Sequence, residues 1–168
     1  MFEVGQTVLY GTEGVCRITE IQEMKVGKKK SEYYVLKPVY RDGATIYVPM
    51  DNATLLNRMR QVLSAEEIDA LIRQVTREEI AWIEDPNERK LEFSRILTSG
   101  DRCNVVRMIR TLYLRRQQLR SAGKHLRTGD DQLLRDAEKL LNDEFALVLN
   151  IPQQEVPEYI RQRIEVSA

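Results

Sequence analysis

Hydrophobic positions along this chain fall into two regimes. From Val4 to Pro49 they come in short β-branched and aromatic runs, Thr7 to Tyr10 and Val15 to Ile21, punctuated by Gly11 and Gly14. Lys25 to Lys30 sets Gly27 among four lysines, the composition of an exposed hairpin tip. Glu32 to Lys37 and Ala44 to Val48 supply two further strands across the turn Arg41-Asp42-Gly43. Strands this short and this few predict a small, strongly bent antiparallel barrel.

Past Pro49 the spacing becomes helical. Ser64-Ala65-Glu66-Glu67 has the form of a capping box and is followed by Ile68, Leu71, Ile72 and Val75. Pro86 opens a second helix, Asn87 to Thr98, with Leu91, Phe93, Ile96 and Leu97 as its apolar positions and Ser99-Gly100 as its end. Asp101 caps a third, Arg102 to about Arg120, with a stripe of Val105, Ile109, Leu112, Arg116 and Leu119 and with Val106 and Tyr113 beside it. A fourth helix spans Asp130 to Leu149 on Leu133, Leu134, Ala137, Leu140, Leu141, Phe145 and Val148, and a short fifth follows Pro152 or Pro157. The expected fold is α+β: a barrel over residues 1–53, a connection over 54–63 and an all-α five-helix bundle over 64–168.

Composition narrows the function classes. With 42% hydrophobic and 31% charged residues the chain has an ordinary globular make-up. No apolar run approaches the ~18 residues of a membrane span, and MFEVGQTVLYG lacks the features of a secretory leader, which points to a cytoplasmic protein without membrane contact. Cys16 and Cys103 are too far apart in sequence to suggest a disulfide framework or a metal-binding pair, and read as small apolar residues. His125 is the only histidine, no nucleophile accompanies it, and the scattered glycines match no phosphate loop, so neither catalysis, nor a metal, nor a nucleotide cofactor is expected.

The formal net charge of zero hides a strong asymmetry. Arg102 to Gly129 carries eight Arg/Lys and no acid, whereas 64–101 carries five basic against ten acidic residues and 130–168 four against nine. Such a one-sided run leaves a positive field suited to phosphate, unless its arginines pair with acids of neighbouring helices. Nearby, Trp82 stands in Glu79-Ile80-Ala81-Trp82-Ile83-Glu84-Asp85-Pro86, a junction between two helices. There it can plug the gap between them, or act as an exposed aromatic wedge for a base step or an unpaired base.

The run Val4-Gly5-Gln6-Thr7-Val8-Leu9-Tyr10-Gly11-Thr12-Glu13-Gly14-Val15, with Tyr33-Tyr34-Val35-Leu36-Lys37 and Ile46-Tyr47-Val48-Pro49-Met50-Asp51-Asn52-Ala53, resembles the N-terminal half of the CarD/CdnL family. Trp82, Ser99-Gly100-Asp101, the Val105-to-Tyr113 stretch and Asp136-Ala137 before Leu140-Leu141 resemble its C-terminal half. The resemblance implies a non-enzymatic bacterial transcription regulator with a Tudor-like barrel that docks on the β subunit of RNA polymerase. It also implies a helical domain that contacts promoter DNA at the upstream edge of the transcription bubble, with a tryptophan inserted in the minor groove, largely without regard to sequence. On this chain the wedge corresponds to Trp82, and Arg89, Lys90 and Arg95 are the candidates for phosphate contact, with the arginines of the third helix behind them. Tyr47 and Pro49, with Met24, are the candidates for polymerase contact through an exposed strand edge. Two other readings are compatible with the residues alone: a protein–protein adaptor with no nucleic-acid contact, favoured by the zero net charge, and an RNA-binding barrel.

Overall fold

The β-branched runs do form strands. A computed structural model describes residues 1–75 and 78–167, in two compact units, Met1–Val62 and Leu63–Ala168. In the first unit, β1 (Thr7–Tyr10), β2 (Val15–Val26), β3 (Lys29–Pro38), β4 (Ile46–Pro49) and β5 (Met59–Gln61) make one antiparallel sheet in the order β4-β3-β2-β1-β5. β1 turns into β2 through a single 3-10 turn, Gly11–Glu13, and Gly14 at φ 79° makes the reversal that a side chain would resist.

One face of this sheet carries a continuous buried cluster, while Leu9, Val15 and Val35 are buried on the other. Val8 and Tyr10 from β1, Cys16 and Ile18 from β2, Tyr34 and Leu36 from β3, Val48 from β4 and Met59 from β5 share one buried cluster, with Phe2, Leu55 and Leu56 packed against it. Burial pushes the Cys16 thiol up to about 11, so it stays protonated at neutral pH and serves as packing. Beyond the register shift between Ile18 and Glu20 the β2–β3 hairpin leaves the core, and Ile21 and Val26 are exposed on it.

Two sequence expectations change here. The predicted barrel is an open sheet: β4 and β5 are its two edges and do not pair with each other among the described residues. Edges of four and three residues offer few groups for closure, and the chain between them is taken up by the short helix α1 (Ala53–Leu56). The segment 54–63, expected as a connection, therefore holds most of α1 and all of β5, and β5 pairs with β1 through Met59↔Tyr10. The first unit accordingly ends at Val62.

The second unit contains α2 (Ala65–Val75), α3 (Pro86–Ser99), α4 (Arg102–Ser121), α5 (Thr128–Leu149) and α6 (Val156–Ser167). The capping box forms as the sequence predicts: Ser64 Oγ accepts from Glu67 N at 3.1 Å and Glu67 Oε1 accepts from Ser64 N at 3.2 Å. Asp85 accepts from the backbone N–H groups of Asn87 and Glu88, Asp101 accepts from Asn104, and Gly100 ends α3 at φ 75°. Ile68, Leu71, Ile72, Leu141, Phe145, Ala146 and Val156 form a buried cluster that joins α2, α5 and α6. The side chain of Val75, expected beside them, lies outside the described residues.

On α3 and α4 the buried face is turned from the expected one. Leu91 is 74% exposed, and α3 instead buries Arg89, Phe93, Ile96 and Leu97. α4 buries Val105, Met108, Thr111 and Leu112, with Ile109 and Arg116 at the flank and Tyr113 exposed. In both helices a polar side chain, Arg89 or Thr111, occupies a core position because its hydrogen bonds are satisfied there, which a hydrophobic template does not anticipate.

Candidate nucleic-acid interface

Trp82 lies in the segment 78–85 between α2 and α3, and that segment is fastened along its length. Thr111 Oγ1 donates to Arg107 O at 2.7 Å and accepts from Ile80 N at 2.8 Å, so α4 holds the chain two residues before the indole. Glu78 accepts from Arg107 Nε at 2.6 Å, and Glu79 approaches Arg110 to 3.9 Å, an ion-pair distance without a hydrogen bond. After the indole, Arg89 Nη1 donates to the carbonyls of Ile83 at 2.8 Å and Glu84 at 3.3 Å. Asp85 then caps α3, with Pro86 at its first position.

The indole itself is half-buried, and its N–H has no hydrogen-bond partner among the described residues. Two guanidinium groups lie over the ring, Arg89 at 4.4 Å and Arg115 at 4.9 Å from its centroid. Glu79, Ile80, Ala81, Trp82, Thr111, Leu114, Arg115 and Gln118 line an open cleft. Trp82 is thus neither sealed in the helical core nor far from positive charge.

The candidate phosphate contacts separate. Lys90 is exposed and carries no ion pair among the described residues. Arg95 is exposed but bound to Glu92 one turn back, which lowers the Glu92 carboxyl below its ordinary range and leaves the pair nearly neutral. Arg89 is corrected: it is 2% exposed and paired with Asp130, so its side chain is not available to a phosphate. Its stripe position, shared with Phe93, Ile96 and Leu97, turns it inward.

The basic run of α4 divides as well. Arg102 pairs with Glu144, Arg107 with Glu78 and Arg110 with Glu79, as expected if arginines serve neighbouring acids. Toward its C-terminal end Arg115 and Arg120, and beyond it Lys124 and Arg127, have no ion pair among the described residues. Arg116 lies over Tyr113 at 5.0 Å and close enough to Glu138 to offset part of the rise that burial imposes on that carboxyl. Arg115 is the site residue that sequence reasoning did not single out; its only signal was membership of the acid-free run.

In the first unit, Tyr47 is 47% exposed on the edge strand β4, and Pro49, two residues on, is half-buried. Met24 pairs with Ser31, Pro49 with Tyr33 and Tyr47 with Val35. Because 31, 33 and 35 alternate along β3, all three candidates lie on one face of the sheet, opposite the buried cluster. The outer edge of β4 has no neighbouring strand among the described residues. A second open cavity, lined by Met1, Phe2, Tyr34, Met50, Leu56, Asn57, Met59 and Arg60, lies elsewhere on this unit. No helix of the described residues is long and apolar enough to cross a membrane, and no group of three or more His, Cys, Asp or Glu among them is placed to hold a metal ion.

Two family models match this chain: the CarD-like/TRCF RID domain over residues 2–63, and the CarD C-terminal domain over residues 74–161. The first ends within one residue of the boundary between the two units, and the second contains Trp82 and every residue that surrounds it. The chain belongs to the CarD-like family of non-enzymatic, RNA polymerase-interacting transcription factors.

Proposed function

We propose that this protein is a cytoplasmic transcription regulator that docks on the β subunit of RNA polymerase through its N-terminal, Tudor-like unit. There it stabilises the promoter open complex by offering Trp82 to the minor groove at the upstream fork of the bubble. The observation that carries this reading is the half-buried indole, its N–H unpartnered among the described residues, held by a braced segment beside guanidinium groups. A ring inserted at an unstacked fork gains contact that closed duplex does not offer, and only that difference shifts the equilibrium. Arg115 beside the ring, with Lys90 and Arg120, supplies phosphate contacts that fix register without reading sequence. Arg95, already engaged with Glu92, takes a lesser part.

Salt dependence tests the nucleic-acid half. Three phosphate contacts, from Lys90, Arg115 and Arg120, predict a fall in affinity for forked duplex on the order of 40-fold between 50 and 200 mM salt. A flat response in a binding titration would favour the adaptor reading, which the zero net charge supports.

Co-purification tests the polymerase half. β4 is short, exposed at its outer edge and ended by Pro49, a strand that another chain can extend while Tyr47 fixes the register. Tyr47→Asp is expected to abolish co-purification with core polymerase while leaving the first unit folded, because the ring is 47% exposed and stands outside the buried cluster. Retention at the wild-type level would place the docking surface elsewhere.

A further inference from the structure

Arg89 makes more contacts than an ion pair requires. Its Nε donates to Asp130 Oδ1 at 2.8 Å and its Nη2 to Asp130 Oδ2 at 2.6 Å, a bidentate pair in which the two side chains are 3% and 8% exposed. Its Nη1 reaches the carbonyls of Ile83 and Glu84, the two residues that follow Trp82, and the guanidinium carbon lies 4.4 Å from the centre of the indole. One side chain therefore joins α3, the first turn of α5 and the segment that bears the ring.

Stability alone is a weak reason for such an arrangement, since buried ion pairs are often no more stabilising than apolar residues of the same volume. What the arrangement does supply is direction. The rigid guanidinium fork fixes two successive carbonyls relative to α5, which leaves the backbone at Trp82 little freedom, and the flat cation limits the angle of the ring.

We propose that the Arg89–Asp130 pair is a positioning device that pre-sets the indole of Trp82 for insertion. Ordering the ring before binding removes that entropy from the binding step. The proposal rests on the nucleic-acid reading of Trp82 given above.

The test uses the full chain, in which Trp82 is the only tryptophan and hence the only source of indole emission. Arg89→Lys keeps the charge but not the fork, and Asp130→Asn keeps an acceptor but not the charge. In variants that still melt cooperatively, the emission is expected to shift to the red and acrylamide to quench it faster, and affinity for a forked DNA duplex is expected to fall about tenfold, within the range of one lost stacking contact. The same substitutions placed on Trp82→Ala are expected to cause no further loss of affinity, because a positioning role acts only through the ring.

Unchanged emission and quenching in a folded variant would overturn the proposal. So would an affinity loss that persists in full on the Trp82→Ala background. If Arg89→Lys fails to fold, Asp130→Asn carries the same readings. If emission shifts as expected while wild type and Trp82→Ala bind forked DNA equally, the positioning of the ring stands and its use on nucleic acid fails.

Discussion

Trp82→Ala is expected to shorten the lifetime of open promoter complexes by roughly 5- to 150-fold, the range that corresponds to about 1–3 kcal/mol of base stacking. On the proposed mechanism the effect falls on the lifetime, because the ring contributes only where bases are unstacked. In the closed complex the indole has no base to meet, so its removal leaves that state nearly unchanged and shifts the balance by the whole of the lost contact. Polymerase co-purification is expected to stay at the wild-type level, since the candidate docking residues Met24, Tyr47 and Pro49 belong to the other unit. The helical unit is expected to remain folded: Trp82 is half-buried, and Arg89 keeps its bonds to Asp130 and to the carbonyls of Ile83 and Glu84 without it. Filter-binding decay after a competitor challenge measures the lifetime directly. Wild-type lifetimes in a variant that still binds polymerase would remove the wedge from the mechanism.

Periodicity made much of the fold legible. Thr7–Tyr10 is the strand that its residues predict, and the Ser64–Glu67 capping box marks the start of α2 to the residue, because capping is a local interaction that needs no partner from elsewhere. The short edge strand at Met59–Gln61 was not legible. Only Met59 is buried in it, and one apolar residue followed by Arg60 and Gln61 has no alternation to detect. Whether the sheet closes was not legible either, since that depends on whether its two ends meet and not on any one strand's pattern.

The site follows the same division. Trp82 was visible as a lone aromatic at a helix junction, but the burial of Arg89 was not, because a basic residue a few positions after it reads first as a phosphate contact. A signal was nevertheless present. Arg89 stands at i with Phe93, Ile96 and Leu97 at i+4, i+7 and i+8, and Asp130 stands at i with Leu133, Leu134 and Ala137 at i+3, i+4 and i+7. Each charge heads an apolar stripe. Opposite charges in such positions on two helices are the mark of a buried pair that bridges them.

Arg102 and Glu144 obey the same rule and support the second large effect. Arg102 precedes Val105 by one turn on α4, and Glu144 lies between Leu141 and Phe145 on α5. The carboxylate is 1% exposed on its side chain, accepts from Arg102 Nε at 3.0 Å and also receives the backbone N–H of Leu63 at 3.1 Å. Arg102→Met would leave that charge buried with only the N–H of Leu63 described as its partner, and is expected to destabilise the helical unit by about 3–5 kcal/mol. For a unit of this size the loss lowers the melting temperature by on the order of 10–20 °C. Pairing it with Glu144→Gln removes the stranded charge while leaving an oxygen for Leu63, so the double variant is expected to melt well above Arg102→Met alone, a coupling that a thermal double-mutant cycle reads directly. If the double variant melts no higher than the single one, Arg102 acts through the packing of its stem and not by neutralising Glu144.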